Sequence, residues 1–194
     1  YVGVGGGMEL LQFAYFSRKK GGVIGVDVVD EMLQACEENL IEAEKLNPWF
    51  KREFIELRKG DAFNLPVEDN SIDIAAQNCL FNIFRDEDLK TALTEMYRTL
   101  KKHGRLVMSD PTCEQTIPEN LRDDEKLRAL CLSGSLPLQE YIDRITDIGF
   151  GTIEVRARRP YRILDPVNYD TPELIFIENA DVCAIKDPML ADVP

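Results

Sequence analysis

Apolar and polar positions along the 194-residue chain follow two periods in alternation. Short apolar runs at 1–4, 22–26, 52–58, 71–77 and 105–109 predict five strands. Between them, apolar side chains recur every three or four residues. This predicts helices over about 7–18, over the segment carrying Leu33, Cys36, Leu40 and Ala43, and over the segment carrying Leu89, Leu93, Met96, Tyr97 and Leu100. Asp30 stands where it can cap the second helix, Asn47-Pro48 ends it, and Lys102-His103-Gly104 turns the chain into the fifth strand. Beyond these, 137–149 reads as a helix, 152–157 as a sixth strand and 182–186 as a seventh. Residues 110–135, with Pro111 and Pro118, read as a long segment arching over the strand tips. Alternation of this kind predicts an α/β fold built on a mostly parallel seven-stranded sheet, with helices on both faces. No repeat or linker interrupts it, so residues 1–194 are expected to form a single domain. Because the chain begins at Tyr1 in mid-strand, an amino-terminal segment is expected to precede it.

The first strand runs into Gly3, Gly5 and Gly7, and Asp27 follows the last of these glycines by twenty residues. A glycine loop after one strand and an acid at the tip of the next form the opening of a nucleotide-binding unit. The glycines let backbone approach a ligand, and the carboxylate accepts hydrogen bonds from ribose hydroxyls. The spacing discriminates further. A dinucleotide site wants Gly-x-Gly-x-x-Gly, but counting from Gly3 the last position is Met8, and from Gly5 it is Leu10. The pattern present, Gly3-x-Gly5-x-Gly7, is the short form found in S-adenosylmethionine (SAM) methyltransferases, although Tyr1 stands where those enzymes usually carry an acid. On the same rim lie Asp61 and Ala62 after the third strand, where the acid can accept from an adenine amino group, and Gln77 at the end of the fourth.

Composition narrows the partners. With 23 basic and 35 acidic residues the net charge is −12, a field that repels nucleic acid and anionic membranes and suits a small neutral or cationic ligand. No apolar run approaches the ~18 residues that a membrane span needs. Five cysteines, an odd number, fit reduced thiols and a cytoplasmic setting better than a disulfide framework.

Three of those thiols, Cys79, Cys113 and Cys131, fall at strand tips or in the segment above them, whereas Cys36 and Cys183 fit interior packing. A group of soft thiolates near a methyl donor suggests a thiophilic element. Each of the three alone reads as well as a small buried side chain. His103, the only histidine, falls in a turn at the far end of the fifth strand, which removes Cys-His and Ser-His catalysis. The Arg156, Arg158, Arg159, Arg162 group reads as a solvated strand end.

Gly3-Val-Gly-Gly-Gly7, Gly60-Asp-Ala-Phe-Asn-Leu-Pro66, Gln77-Asn-Cys-Leu-Phe-Asn-Ile83 and Cys131-Leu-Ser-Gly134 together resemble the arsenite methyltransferases. The stretch from Gly149-Phe150 to Arg158-Arg-Pro-Tyr-Arg162 is similar to the branch associated with arsenosugar biosynthesis. The resemblance implies a Rossmann-like class I SAM methyltransferase that methylates arsenite, or its thiol adduct, in cytoplasmic detoxification. It also implies that Cys79 and Cys131 bind arsenic, with the family's third cysteine lying upstream of the glycine loop. Cys113 either supplies a further thiolate or packs the segment above the tips. A methyltransferase for another small molecule, and a fragment that binds SAM or a metalloid without turnover, remain open alternatives.

Overall fold

The computed structural model describes residues 1–187, which fall into two compact units, Tyr1–Val67 and 68–187. The first unit contains α1 (Met8–Ser17), β1 (Val23–Asp27), α2 (Asp30–Leu46), a 3-10 turn at Arg52–Phe54, and β2 (Ile55–Lys59). β1 and β2 pair in parallel, from Val23 opposite Ile55 to Asp27 opposite Lys59. The expected first strand shrinks to one parallel bridge, Val2 to Val26, because the backbone already turns at Gly3 with φ 79°. Val4, Leu10, Ala14, Val23, Cys36, Leu40, Phe50 and Ile55 form the apolar core of this unit. Cys36, Leu40 and Ala43 are the buried stripe of α2, as their spacing predicts. Asp30 does not cap α2. It lies within the first turn and pairs with Lys59 at 2.5 Å, while Asp27 Oδ1 accepts from the Val29 N–H at the helix entrance.

The second unit contains β3 (Ile72–Asn78), α3 (Asp86–Thr99), β4 (Leu100–Cys113), α4 (Glu119–Arg122), α5 (Glu125–Ala129), β5 (Leu136–Pro137), α6 (Leu138–Ile148), β6 (Thr152–Leu164) and β7 (Ile175–Ile185). Its sheet has the order β3-β4-β7-β6, with β5 beside β4. The expectation of a mostly parallel seven-stranded sheet is corrected here. β3–β4 and β4–β5 are parallel, but β7 runs antiparallel to both β4 and β6. The reason lies in the connections. Residues 165–174 join β6 to β7 without a helix, and a parallel return needs a crossover of a dozen or more residues, usually helical.

β4 is far longer than the expected 105–109, since β7 pairs with it from Arg105 to Cys113. His103 sits in an irregularity before that ladder, at φ 63°, between the pairs Ile72–Leu100 and Ile74–Arg105. Along β4, alternate residues Leu106, Met108, Asp110 and Thr112 are all buried, so the carboxyl of Asp110 occupies a core position. Part of the 110–135 segment is therefore strand. The rest folds down as α4 and α5, whose Leu121 and Leu127 join Cys113, Ile117, Leu132, Leu164, Ile175 and Ile177 in one apolar cluster. Among the described residues no helix is long and apolar enough to cross a membrane.

Candidate functional site

Two of the predicted thiols meet. The Cys131 Sγ lies 2.8 Å from the Cys79 carbonyl oxygen, close enough for the protonated thiol to donate to it. Both residues hold left-handed backbone, φ 58° at Cys79 and 60° at Cys131, a conformation that costs a non-glycine residue about 1–2 kcal/mol. The cause at Cys131 is local. The Cys131 N–H donates to the Arg128 carbonyl and the Leu132 N–H to that of Leu127, the two bonds of a Schellman motif ending α5. Cys131 thus fills the position that helices ordinarily give to glycine. At Cys79 the chain leaves β3, its N–H donating to the Ser109 carbonyl on β4.

The two motifs abut elsewhere as well. A Cβ added to Gly134 would come within 1.7 Å of the Asn82 carbonyl oxygen, so only glycine fits there. Asn82 in turn donates from Nδ2 to the Pro111 carbonyl at 2.7 Å. The segments 77–83 and 131–134 are therefore two halves of one packed corner.

Beneath the corner lies a buried polar group. Gln77, Asp110 and Tyr141 are each less than 5% exposed. Asp110 Oδ2 accepts from Gln77 Nε2 and, at 2.7 Å, from the Tyr141 hydroxyl. Gln77 Oε1 accepts from the Leu80 N–H at 2.8 Å. Burial pushes the Asp110 carboxyl up to about 6, against the pull of the Tyr141 and Gln77 hydrogen bonds. The thiols are linked electrically as well. A hydrogen bond from the Cys79 thiol holds the Cys131 thiol below the ordinary range, and the same bond, followed by burial, pushes Cys79 up. Tyr161, on β6, reaches the Cys79 thiol with its hydroxyl.

Cys113 does not join this pair. It lies in the apolar cluster, its thiol donating to the Ser135 carbonyl at 3.4 Å and pushed up to about 12 by burial. Among the described residues, no group of three or more His, Cys, Asp or Glu side chains is placed to hold a metal ion. Cys36 and Cys183 are fully buried, in keeping with interior packing. Arg156, Arg158 and Arg159 pair at the surface with Glu154, Glu178 and Asp181.

Apart from Gln77, the other expected residues belong to the first unit. Gly3, Gly5 and Gly7 all have positive φ, and a Cβ at Gly5 would meet nothing within 4 Å, so the loop leaves room beside it for a ligand. Gly7 faces inward, where a Cβ would lie 2.8 Å from the Cys36 sulfur. Asp27 Oδ2 accepts from the Val4 N–H at 2.9 Å, and the Gly60 N–H donates to the Asp27 carbonyl. Loop, β1 tip and β2 tip thus share one rim. Asp61 is exposed and accepts from the Phe63 N–H at 3.0 Å, with Ala62 beside it half-buried. Asp27 is half-buried and Asp61 exposed beside the open glycine loop. Gln77, expected to contact the cofactor, commits both ends of its amide to Asp110 and Leu80.

Residues 2–158 match the family model of the methyltransferase domain. The chain is 31% identical over 168 residues to an arsenite methyltransferase of Aquipseudomonas alcaligenes, covering 84% of this chain and 47% of that protein. It is 34% identical over 154 residues to a demethylmenaquinone methyltransferase of Staphylococcus epidermidis, covering 79% and 53%. The chain therefore spans about half the length of these curated relatives. An arsenic(III) S-adenosylmethionine methyltransferase of Chlamydomonas reinhardtii shares the fold, with a TM-score of 0.81 at 23% identity over 93% of this chain and 61% of that one.

The chain belongs to the methyltransferase-domain family. Its fold is the Rossmann-like fold of the class I SAM-dependent methyltransferases, the class whose cofactor is SAM.

Proposed function

We propose that the protein transfers a methyl group to trivalent arsenic, presented as arsenite or its thiol adduct and held by the thiolates of Cys79 and Cys131. The observation that carries this reading is the contact of the two cysteines, each in a backbone conformation that favours glycine. A side chain kept at a glycine position needs a reason, and a pair of apposed soft sulfur ligands supplies one. The resemblance of the whole 131–134 and 77–83 corner to arsenite methyltransferases agrees with it, as does the relative in Aquipseudomonas alcaligenes. With five free cysteines, the chain suits a reducing, cytoplasmic setting.

Each thiol replaces one hydroxide of As(OH)3, so two S–As bonds form, two As–O bonds break and two waters leave. The remaining arsenic lone pair carries no proton, and no general base is needed to expose it. Gly3, Gly5 and Gly7 would let backbone approach SAM, Asp27 would accept from its ribose hydroxyls, and Asp61 with Ala62 would meet its adenine. When bound, SAM supplies an electrophilic methyl group on a sulfonium. The protein's own contribution is orientation, for which about 7–11 kcal/mol is available in well-aligned systems.

A second reading, methylation of a quinol-like small molecule, is favoured by the relative in Staphylococcus epidermidis. It gives the two thiols no role. Calorimetric titration with SAM and then arsenite, followed by mass spectrometry of methylated arsenicals, separates the two. Binding of SAM without arsenite, together with methyl transfer to a quinol, would leave the second reading standing and end the first.

A further inference from the structure

The two thiols are joined to a buried carboxyl by an unbroken chain of hydrogen bonds. The Cys79 carbonyl faces the Cys131 sulfur. The Leu80 N–H, on the other side of the same peptide group, donates to Gln77 Oε1. The other end of that amide donates to Asp110 Oδ2, where the Tyr141 hydroxyl also donates. Asp110 Oδ1 is buried without a well-formed hydrogen bond, and the carboxyl also faces the Phe81 backbone N–H. A carboxyl on the core face of β4, between Met108 and Thr112, costs folding free energy that its hydrogen bonds offset only in part. An amide can also be flipped, and a flipped Gln77 would present N–H to the Leu80 N–H and carbonyl oxygen to the carboxyl. Asp110 forbids that orientation, because a carboxylate only accepts.

We propose that Asp110 is a positioning residue for the thiol pair, fixing through Gln77 the turn that presents Cys79 to Cys131. The proposal rests on the reading of these cysteines as the arsenic site, and it concerns how the two sulfurs are kept at bridging distance. Asp110 touches neither arsenic nor cofactor. Its action is to set the Gln77 amide one way round, so that the Leu80 N–H is tied down and the left-handed Cys79 does not relax. Tyr141, from the first turns of α6, holds the carboxyl from its other side. A two-point ligand feels the separation of the sulfurs.

The test uses the full chain and phenylarsine oxide, which needs both thiols, with SAM affinity as the measure of general loosening. Gln77→Met, close to the wild-type shape without its polar ends, is expected to weaken phenylarsine oxide binding by about tenfold, the scale of one lost hydrogen bond to a charged group. Asp110→Leu should give a similar loss, and the double variant little more than either alone, because the two act as one device. Asp110→Asn, which keeps an oxygen to accept, should stay within about threefold of wild type. The affinity for SAM should change less than about twofold in Gln77→Met, as would not hold for general loosening. If Asp110→Leu fails to fold, Tyr141→Phe replaces it, with a smaller loss in the same direction.

Full phenylarsine oxide affinity in Gln77→Met would overturn the proposal, as would losses that multiply in the double variant. Failure of the wild-type chain to bind phenylarsine oxide more tightly than its Cys79→Ser variant would instead overturn the arsenic reading itself.

Discussion

Cys131 places its sulfur 2.8 Å from the carbonyl oxygen of Cys79, and each of the two residues holds a positive φ. That pairing separates function from packing, because the backbone and the side chain want different residues. At Cys131 the Schellman geometry wants glycine, while the thiol lies in contact with its partner motif.

Cys131→Gly is expected to be more stable than Cys131→Ala by about 1 kcal/mol, since both lose the thiol and only alanine keeps the left-handed strain. Both should lose arsenite affinity by about a hundredfold, the advantage of a two-point over a one-point ligand. Urea melts and arsenite titration of the two variants check this. Equal stability would mean that the strain is relieved in some other way.

Much of the corner was legible before its geometry. The resemblance of 77–83 and 131–134 pointed to Cys79 and Cys131, and strand-tip reasoning pointed to the glycine loop and Asp27. Asp110 carried a signal that strand-tip reasoning passed over. It shares the inward period-2 face with Leu106 and Met108, where a carboxylate demands an explanation. Tyr141 and Tyr161 gave no such signal, because their partners lie on other elements. The antiparallel ribbon was hidden for a different reason. β6 is an edge strand exposed along most of its length, rich in arginine and containing Pro160, so it lacks the alternation that marks a half-buried strand. Its two register shifts fall beside Arg156 and Tyr161, within or just past the span where the apolar pattern ends.

The thiol pair titrates unequally. The bond from Cys79 favours the ionised Cys131, so the modification midpoint of Cys131 should fall below the ordinary thiol range and that of Cys79 above it. Exposure alone predicts the opposite order, since Cys79 is the more accessible of the two. Two thiols taking As(OH)3 release water and no proton, so arsenite affinity should be level at low pH. It should decline once Cys131 has ionised, because a proton must then be taken up. Iodoacetamide labelling against pH, read by mass spectrometry, with arsenite titration at the same pH values, tests both statements. An affinity that rises through the Cys131 midpoint would contradict the exchange reaction.

Asp110 predicts a pH-dependent stability of known sign. Its folded carboxyl titrates at about 6, above the ordinary value of 3.8, because burial disfavours the charge. Between those values the folded state holds more protons than the unfolded one, so stability falls as pH rises from about 4 to 6. The loss amounts to about 3 kcal/mol at pH 7 for a shift of this size. Asp110→Asn removes it, so the variant should melt higher than wild type at pH 7.5 and by a smaller margin at pH 4. A constant difference in melting temperature across that window would show that Asp110 keeps an ordinary affinity for its proton.

Asp27 binds the glycine loop to the entrance of α2, accepting from Val4 through Oδ2 and from Val29 through Oδ1. Asp27→Ala leaves both N–H groups without that acceptor, which should cost about 1–3 kcal/mol of stability. The same carboxylate is the one assigned to the ribose hydroxyls, so SAM affinity should fall by about ten- to a hundredfold, the scale of one or two hydrogen bonds to a charged acceptor. Asp27→Asn separates the two roles. It keeps one oxygen able to accept from Val4 or Val29 but presents N–H where the other oxygen stood. Stability should therefore recover part of the way while SAM affinity stays low. Calorimetry with SAM, beside urea melts of the three proteins, reads both quantities. If SAM affinity tracks stability through the series, Asp27 serves the loop alone and the ribose contact belongs to another residue.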